Sequence, residues 1–390
     1  MKTLAIISEF NPFHNGHKYL LDKSKKITNA DICLSIMSGD AVQRGELAIL
    51  DKFKRANEAI NQGFDIVIEM PSFITLQSAW YFALGNIKIL NKLNINYLCF
   101  GIEELDSDDF IKFSDILIKR KIDVDNETLK LSKEGISYPK ARAYSIKKII
   151  GFNKLSSNNY LALEYILALN YTNSKIKPIP ITRKGSKNSD DFLRNTNLSS
   201  SGAIRNYIMN SKKIYNIKSN VPEITYKDLK NEHYIEYQNK LFDFLKYKLF
   251  IEKNIKNDYL GLENGLINHI KKCAKNETYF ENFINKATTK SYTSSRIKRA
   301  IFNIILENTS DMNDIDISFL KILSFNSNSL KFLREIKNKI TIIQKKKDLG
   351  DLDSKNKLVY KKNLDTSNLY SILKKRDIDI DYSRKIKIAK

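Results

Sequence analysis

The chain has 390 residues, too long for one ordinary domain, and at 42% hydrophobic it can bury sizeable cores. It lacks any run of 18 apolar residues, which excludes a helical membrane span from the reading, and "MKTLAIISEFNPF" breaks too early for a signal peptide. Lys and Arg number 66 against 44 Asp and Glu, a net charge of +22 that attracts a polyanion, either nucleic acid or an anionic membrane surface.

"TLAIIS" (3–8) is a continuous β-rich run of the kind that forms a strand buried on both faces. The chain breaks at Asn11-Pro12 and resumes as a helical pattern over 16–28, with His14 and His17 around Asn15-Gly16 at the handover. Zinc chemistry needs histidines at i and i+4 with a Glu between, and neither His233 nor His269 offers a third ligand, so no metal site is expected. A bland alternative is two histidines capping a loop. The position favours another reading, in which free N–H groups and the helix dipole meet an anion and Gly16 lets phosphate approach the backbone. The imidazoles then donate to the α- and β-phosphates of a nucleotide as charge develops.

"DICLSIM" (31–37) reads as the second strand, and "MSGDAVQRGE" follows it. Gly39 and Gly45 allow turns there, and Asp40, Gln43 and Arg44 either line a site or lie on a solvated loop. A helix over 51–62 leads to "FDIVIEM" (64–70), which Pro71 stops, and a helix over 75–93 leads to "INYLCFG" (95–101). Gly101 lets adenine or ribose lie against bare backbone. In "SSNNYLALEY", at the start of a helix over 159–171, Asn158 or Asn159 caps the helix or touches the nucleotide. "KPIPITR" (177–183) is the fifth β-rich run, and Arg183 and Lys184 in "TRKGS" at its end suit phosphate. In "SSSGAIR" (199–205) the serines, Ser200 among them, and the helix N-terminus suit phosphate, with Arg205 one turn on. Alternating β and α runs imply a parallel, doubly wound α/β sheet that gathers ligands beyond its strand ends.

From about residue 225 apolar residues recur at three- and four-residue spacing amid dense Lys, and "DISFLKILSFNSNSLKFLREIKNKITIIQKKKDLG" continues what reads as a helical region. The expected division is 1–215 and 216–390, with a soft boundary within 208–235. In "KSYTSSRIKRA" (290–300), Tyr292, Arg296, Lys298 and Arg299 combine charge with an aromatic ring, as RNA contacts do, or form a plain basic helix face. Cys33 and Cys99 sit in apolar runs, and with Cys273 they form no metal or disulfide spacing, so a reducing, cytoplasmic location is expected.

"HNGH" resembles the H-x-G-H signature of the nucleotidyltransferase superfamily, and "SSSGAIR" its Ser-Ser-Thr-x-Ile-Arg signature. "EFNPFHNGH", "MSGDAVQRGE", "DKFKRA", "FDIVIEMP", "QSAWYFA", "FGIEE", "SYPKARA", "NNYLALEY" and "SYTSSRIKRA" together resemble the bacterial tRNA(Met) cytidine acetate ligase family. That resemblance implies a Rossmann-like nucleotidyltransferase domain followed by a mainly α-helical, basic, tRNA-binding region. It implies an enzyme that uses ATP to turn acetate into acetyl-adenylate and then acetylates N4 of the wobble cytidine (position 34) of elongator tRNA(Met). Magnesium is expected to accompany the triphosphate. The implied catalytic residues are His14 and His17. The implied ATP contacts are Ile7, Ser8, Glu9, Phe10, Asn11, Pro12, Phe13, His14, Asn15, Gly16, His17, Lys18, Tyr19 and Leu20, with Gly101, Asn158, Asn159, Arg183, Lys184, Ser200 and Arg205. Ser157 departs from the family's usual Pro before the Asn pair. Two other readings stay open: an adenylyltransferase acting on a small phosphorylated coenzyme precursor, and an RNA-binding module that a nucleotide regulates.

Overall fold

The structure, a computed structural model, describes residues 1–184, 197–211, 214–252, 255–256, 258–262, 265–383 and 387–389; Gly185 and Ser186 of "TRKGS" lie outside them. The five β-rich runs form β1 (Thr3–Ser8), β2 (Ile32–Ser38), β5 (Ile66–Met70), β6 (Tyr97–Ile102) and β7 (Lys177–Thr182), and a short hairpin of β3 (Ala41–Val42) and β4 (Glu46–Leu47) follows β2. β1, β2, β5, β6 and β7 are parallel neighbours in the order β5-β2-β1-β6-β7.

The period-two pleat sends alternate residues into two cores. Leu4, Ile6, Cys33, Met37 and Val67 pack on one face with Leu21 of the Asn15–Thr28 helix. Ala5, Leu34, Ile36, Ile66 and Ile68 pack on the other, against the Ala79–Lys92 and Ser157–Tyr171 helices. From β1 the chain moves outward through β2 and β5, then crosses back to β6 and β7 on the opposite side. The strand order therefore reverses between β1 and β6, and "HNGH", directly after β1, stands at that reversal, where open parallel sheets bind ligands.

The C-terminal region corrects one expectation. Within "DISFLKILSFN", Phe319–Asn326 is a strand, β8, and not part of a helix. It lies antiparallel to β5, with Ile66 opposite Phe325, while β9 (Thr341–Ile343) and β10 (Lys387–Ala389) run parallel to it. The physical reason is in the run itself: all residues but the last are buried, so there is no polar face for a helix to present. Lys321 tolerates burial there because Asp381 and Glu69 meet its ammonium. Lys52 joins the same cluster, with Nζ 2.7 Å from Glu69, from Asp381 and from the Ser367 hydroxyl.

The helical expectation holds for Gln238–Tyr247, Leu266–Lys275, Phe280–Ala287 and Ser294–Leu306, which enclose a core of their own around Phe242, Phe283, Ile297 and Ile301. Cys33, Cys99 and Cys273 are buried free thiols. Among the described residues no helix is long and apolar enough to cross a membrane.

Candidate active site

Each histidine of "HNGH" caps the helix with the other. His14, in extended backbone, is the N-cap of Asn15–Thr28; its Nδ1 accepts the Gly16 N–H at 2.9 Å, and His17 Nδ1 accepts the His14 N–H at 3.2 Å. The rings stack with centroids 3.8 Å apart. An Nδ1 that accepts a backbone N–H fixes the tautomer, so both rings carry their proton on Nε2 and present it as a donor. Burial holds the His14 imidazole well below its usual range, with His17, Arg183 and Arg205 adding to the effect. Burial, then Arg183, brings His17 down to about 3. Both rings are neutral donors at physiological pH.

The expected free amides at this helix start are otherwise engaged. The Asn15 N–H donates to the Asn220 carbonyl at 3.0 Å, the Gly16 N–H to His14, and the His17 N–H to the His14 carbonyl at 2.9 Å. Capping consumes those backbone donors and leaves the imidazole Nε2–H groups as the donors that the histidine pair can offer a ligand. Gly16 is likewise required by the ring: a Cβ at that position would stand 2.7 Å from His14 Cε1.

A cavity of about 1290 Å³ opens from the strand ends, larger than the roughly 300–1,000 Å³ of an ordinary small-ligand pocket. Of the run expected around ATP, Ile7, Ser8, Glu9, Phe10, Asn11, His14, Gly16, His17, Tyr19 and Leu20 line it. Pro12, Phe13, Asn15 and Lys18 do not: Phe13 is buried in the core, Lys18 pairs with Asp22, and Asn15 Nδ2 donates to the carbonyls of Asn197 and Ser219. Gly101, Asn158, Arg183, Lys184 and Arg205 reach the cavity. Gly101 is there to let Arg183 pass, since a Cβ would stand 3.0 Å from Arg183 Cγ. Arg205 donates from Nη1 to the Asn11 carbonyl at 2.6 Å, which ties the second signature to the first. Burial lowers the pKa of both guanidiniums, opposed at Arg183 by Glu103 and at Arg205 chiefly by Glu46.

Ser200 and Asn159 have structural tasks. The fully buried Ser200 hydroxyl accepts the Ala203 N–H at 3.0 Å and starts the Ser201–Ser211 helix, while Ser201, another serine of the motif, and Gly202, which sequence reasoning did not single out, face the cavity. Asn159 is buried and clamps the end of β6: its Oδ1 accepts the Glu103 N–H at 2.7 Å and its Nδ2 donates to the Glu103 carbonyl.

Among the residues singled out in "MSGDAVQRGE" and "KSYTSSRIKRA", Gln43, Arg44, Arg296 and Arg299 line the same cavity. Asp40 does not: its carboxylate is turned inward, accepting the Lys52 N–H and the Ser367 hydroxyl. Lys298 pairs with Glu46 at 2.6 Å, and Tyr292 lies under the Arg296 guanidinium at 5.2 Å. Two distant motifs thus meet, because the β3–β4 hairpin packs on the Ser294–Leu306 helix. Gly45, at φ 73°, sits so close that a Cβ would lie 2.5 Å from the Arg299 nitrogen. Trp80, Tyr81, Tyr138 and Tyr160 also line the cavity and were not singled out beforehand; their signal, aromatics in "QSAWYFA", "SYPKARA" and "NNYLALEY", was present in the sequence.

Comparison with known proteins agrees with this geometry. The HIGH nucleotidyl transferase family model matches residues 1–384. A tRNA(Met) cytidine acetate ligase of Clostridium novyi is 35% identical over 360 residues, covering 88% of this chain and 89% of its own. One from Clostridium tetani is 33% identical, with 98% of each chain covered. Crystal structures of Thermotoga maritima TmcAL, 26% identical, superpose over 100% of this chain and 99% of theirs, with TM-scores of 0.88 without ligand and 0.86 for the form bound to alpha-thio ATP. With paired capping histidines at the sheet's reversal point and these whole-length likenesses, the chain belongs to the tRNA(Met) cytidine acetate ligase family of HIGH nucleotidyl transferases.

Proposed function

We propose that this chain binds ATP at the β1–β6 reversal, activates acetate as acetyl-adenylate, and transfers the acetyl group to N4 of the wobble cytidine of elongator tRNA(Met). The observation that carries the reading is the continuity of one cavity from the His14 and His17 Nε2–H donors to Arg296 and Arg299 on the helical side. Acetate attacks the α-phosphorus and pyrophosphate leaves; the two imidazoles stabilise charge building on the phosphate oxygens without forming a covalent bond. Arg183, Lys184 and Arg205 hold the remaining phosphates. Magnesium fits as a passenger on the triphosphate, which supplies oxygen ligands, since among the described residues no three His, Cys, Asp or Glu side chains group for a metal.

The aromatic rim suits an unpaired anticodon base, which proteins hold by stacking. An adenylyltransferase for a small coenzyme precursor would leave that rim and the basic helix idle. Acetyl-adenylate would be wasted by water, so RNA is expected to gate the chemistry. Protein with ATP, labelled acetate and magnesium should release little AMP. Added elongator tRNA(Met) should give stoichiometric AMP and pyrophosphate with the label on one cytidine. Label on a small coenzyme precursor, with none in RNA, would overturn the proposal.

A further inference from the structure

Among the described residues, the cavity is lined by six cations, Arg44, Arg183, Lys184, Arg205, Arg296 and Arg299, and by two carboxylates, Glu9 and Asp258. A carboxylate lining the same cavity as the histidines repels both anionic substrates of the first half-reaction, so its presence there needs a reason. The second half-reaction supplies one. The exocyclic amine of cytosine is a hydrogen-bond donor that carboxylates accept, and it must lose a proton when it becomes an amide.

Few groups are able to take that proton. His14 and His17 spend Nδ1 on backbone N–H groups and carry their proton on Nε2, so they donate and do not accept. Tyr160 and Tyr165 are protonated, because burial raises both phenols, helped by Glu164 at the first and Glu9 at the second. Asp258 lies beside Tyr259, in the part of the chain that belongs to the second core, whereas Glu9 directly follows β1. Glu9 Oε1 accepts the Gln43 N–H at 2.7 Å, which orients the carboxylate and leaves Oε2 without a donor among the described residues.

We propose that Glu9 is the catalytic base of the transfer step, accepting a hydrogen bond from the cytidine N4 amine and then its proton. This rests on the acetyl-transfer reading above. As the N4 lone pair forms the C–N bond, the proton passes to Glu9 Oε2. The bond between the acetyl carbon and the phosphate oxygen breaks, its electron pair leaves with AMP, and Glu9 releases the proton to solvent after AMP departs. The groups facing Glu9 are Arg44 on the hairpin, Arg55 on the Lys52–Asn61 helix, Arg205 on the Ser201–Ser211 helix and Tyr165 on the Ser157–Tyr171 helix. Burial raises the Glu9 pKa above 4.5 against the Gln43 bond and the three arginines, so transfer should slow as pH falls through that raised value.

Glu9→Gln tests this, since its amide carbonyl still accepts the Gln43 N–H. The full-length enzyme is assayed for acetate-dependent ATP–pyrophosphate exchange beside a tRNA with uridine at the wobble position. It is then assayed for single-turnover transfer from supplied acetyl-adenylate to elongator tRNA(Met). The expected result is a transfer rate that falls about 10²-fold or more beyond whatever exchange loses, with the acid limb of the transfer pH profile gone. Equal losses in both assays would overturn the assignment and place Glu9 with the nucleotide or its magnesium. An unchanged transfer rate would overturn it too. Wild-type enzyme inert toward acetyl-adenylate and tRNA would instead remove the acetyl-transfer reading itself.

Discussion

The His14 ring occupies the space that a side chain at Gly16 would need, with Nδ1 at 2.9 Å and Cε1 at 2.7 Å from an ideal Cβ there. The ring cannot easily swing away, because Nδ1 holds the Gly16 N–H and the His17 ring stacks on it. The glycine of "HNGH" therefore sets the aim of a donor, and only through it the contact with phosphate. Gly16→Ala should gain some helix propensity, up to about 1 kcal/mol for an interior site, while displacing His14. The melting temperature should change little or fall modestly, since the lost His14 cap costs about 1 kcal/mol against that gain, and tRNA-dependent AMP formation should fall by about two orders of magnitude, as for one lost oxyanion donor. Wild-type turnover in this variant would show that the ring position is immaterial.

The histidines also make a pH prediction. Both have folded-state pKa values below the ordinary 6.5, His17 at about 3, so between those values the unfolded chain binds more protons than the native one. Their contribution to stability is intact above pH 6.5 and is lost as pH falls toward 3. Denaturant titrations should show stability declining across that window, less steeply in the His14→Ala, His17→Ala double variant. Activity should show no ionisation near 6.5 that the double variant removes; such a titration in wild type alone would mean a histidine works as an acid or base.

Much of this was legible in the sequence because parallel strands buried on both faces write their positions as unbroken apolar runs, and five of them fell where expected. The same signal misled once. "FLKILSF" is a similar run, interrupted by Lys321 and Ser324, but its setting among amphipathic helices suggested more helix, and its strand partner β5 is some 250 residues away. At the site, the residues in "HNGH" were legible, but the direction of each ring was not. Asp40 shows the limit: a carboxylate after a strand end reads as a ligand contact, and only the burial of Lys52 beside it reveals a structural acid. Tertiary partners distant in sequence decide such cases.

Lys52 gives the test of that cluster. Its ammonium is fully buried and reaches Glu69 and Asp381 at 2.7 Å, joining β5 to the C-terminal segment that also neutralises Lys321. Lys52→Met would leave those carboxylates buried without their central cation, a change that costs about 3–5 kcal/mol when one partner of a buried pair is removed. Urea unfolding should show a loss of that size, partly recovered by adding Asp40→Asn. An unchanged midpoint would mean that the cluster is solvated in practice.

Arg296 and Arg299 lie one turn-fraction apart on the Ser294–Leu306 helix, yet they should behave differently. Arg299 donates from Nη1 to the Gln43 carbonyl at 3.2 Å, beside the N–H that Glu9 accepts, so it braces the hairpin against the nucleotide end of the cavity. Burial, with Arg296 nearby, lowers its pKa to about 10, which leaves it charged at neutral pH. Arg296 instead lies over the Tyr292 ring at the cavity wall, where an RNA phosphate or base can meet it. Charge reversal at Arg296 should weaken tRNA binding with ATP binding unchanged, and should flatten the fall of log K with log salt by about one phosphate's worth of counterion release. Arg299→Glu should weaken both ligands, because the hairpin moves with it. Measuring tRNA affinity from 50 to 200 mM salt (a range chosen to span the steep region), with ATP affinity alongside, separates the two. An Arg296 variant that loses ATP as well as tRNA would move that residue from the RNA side of the cavity to the scaffold.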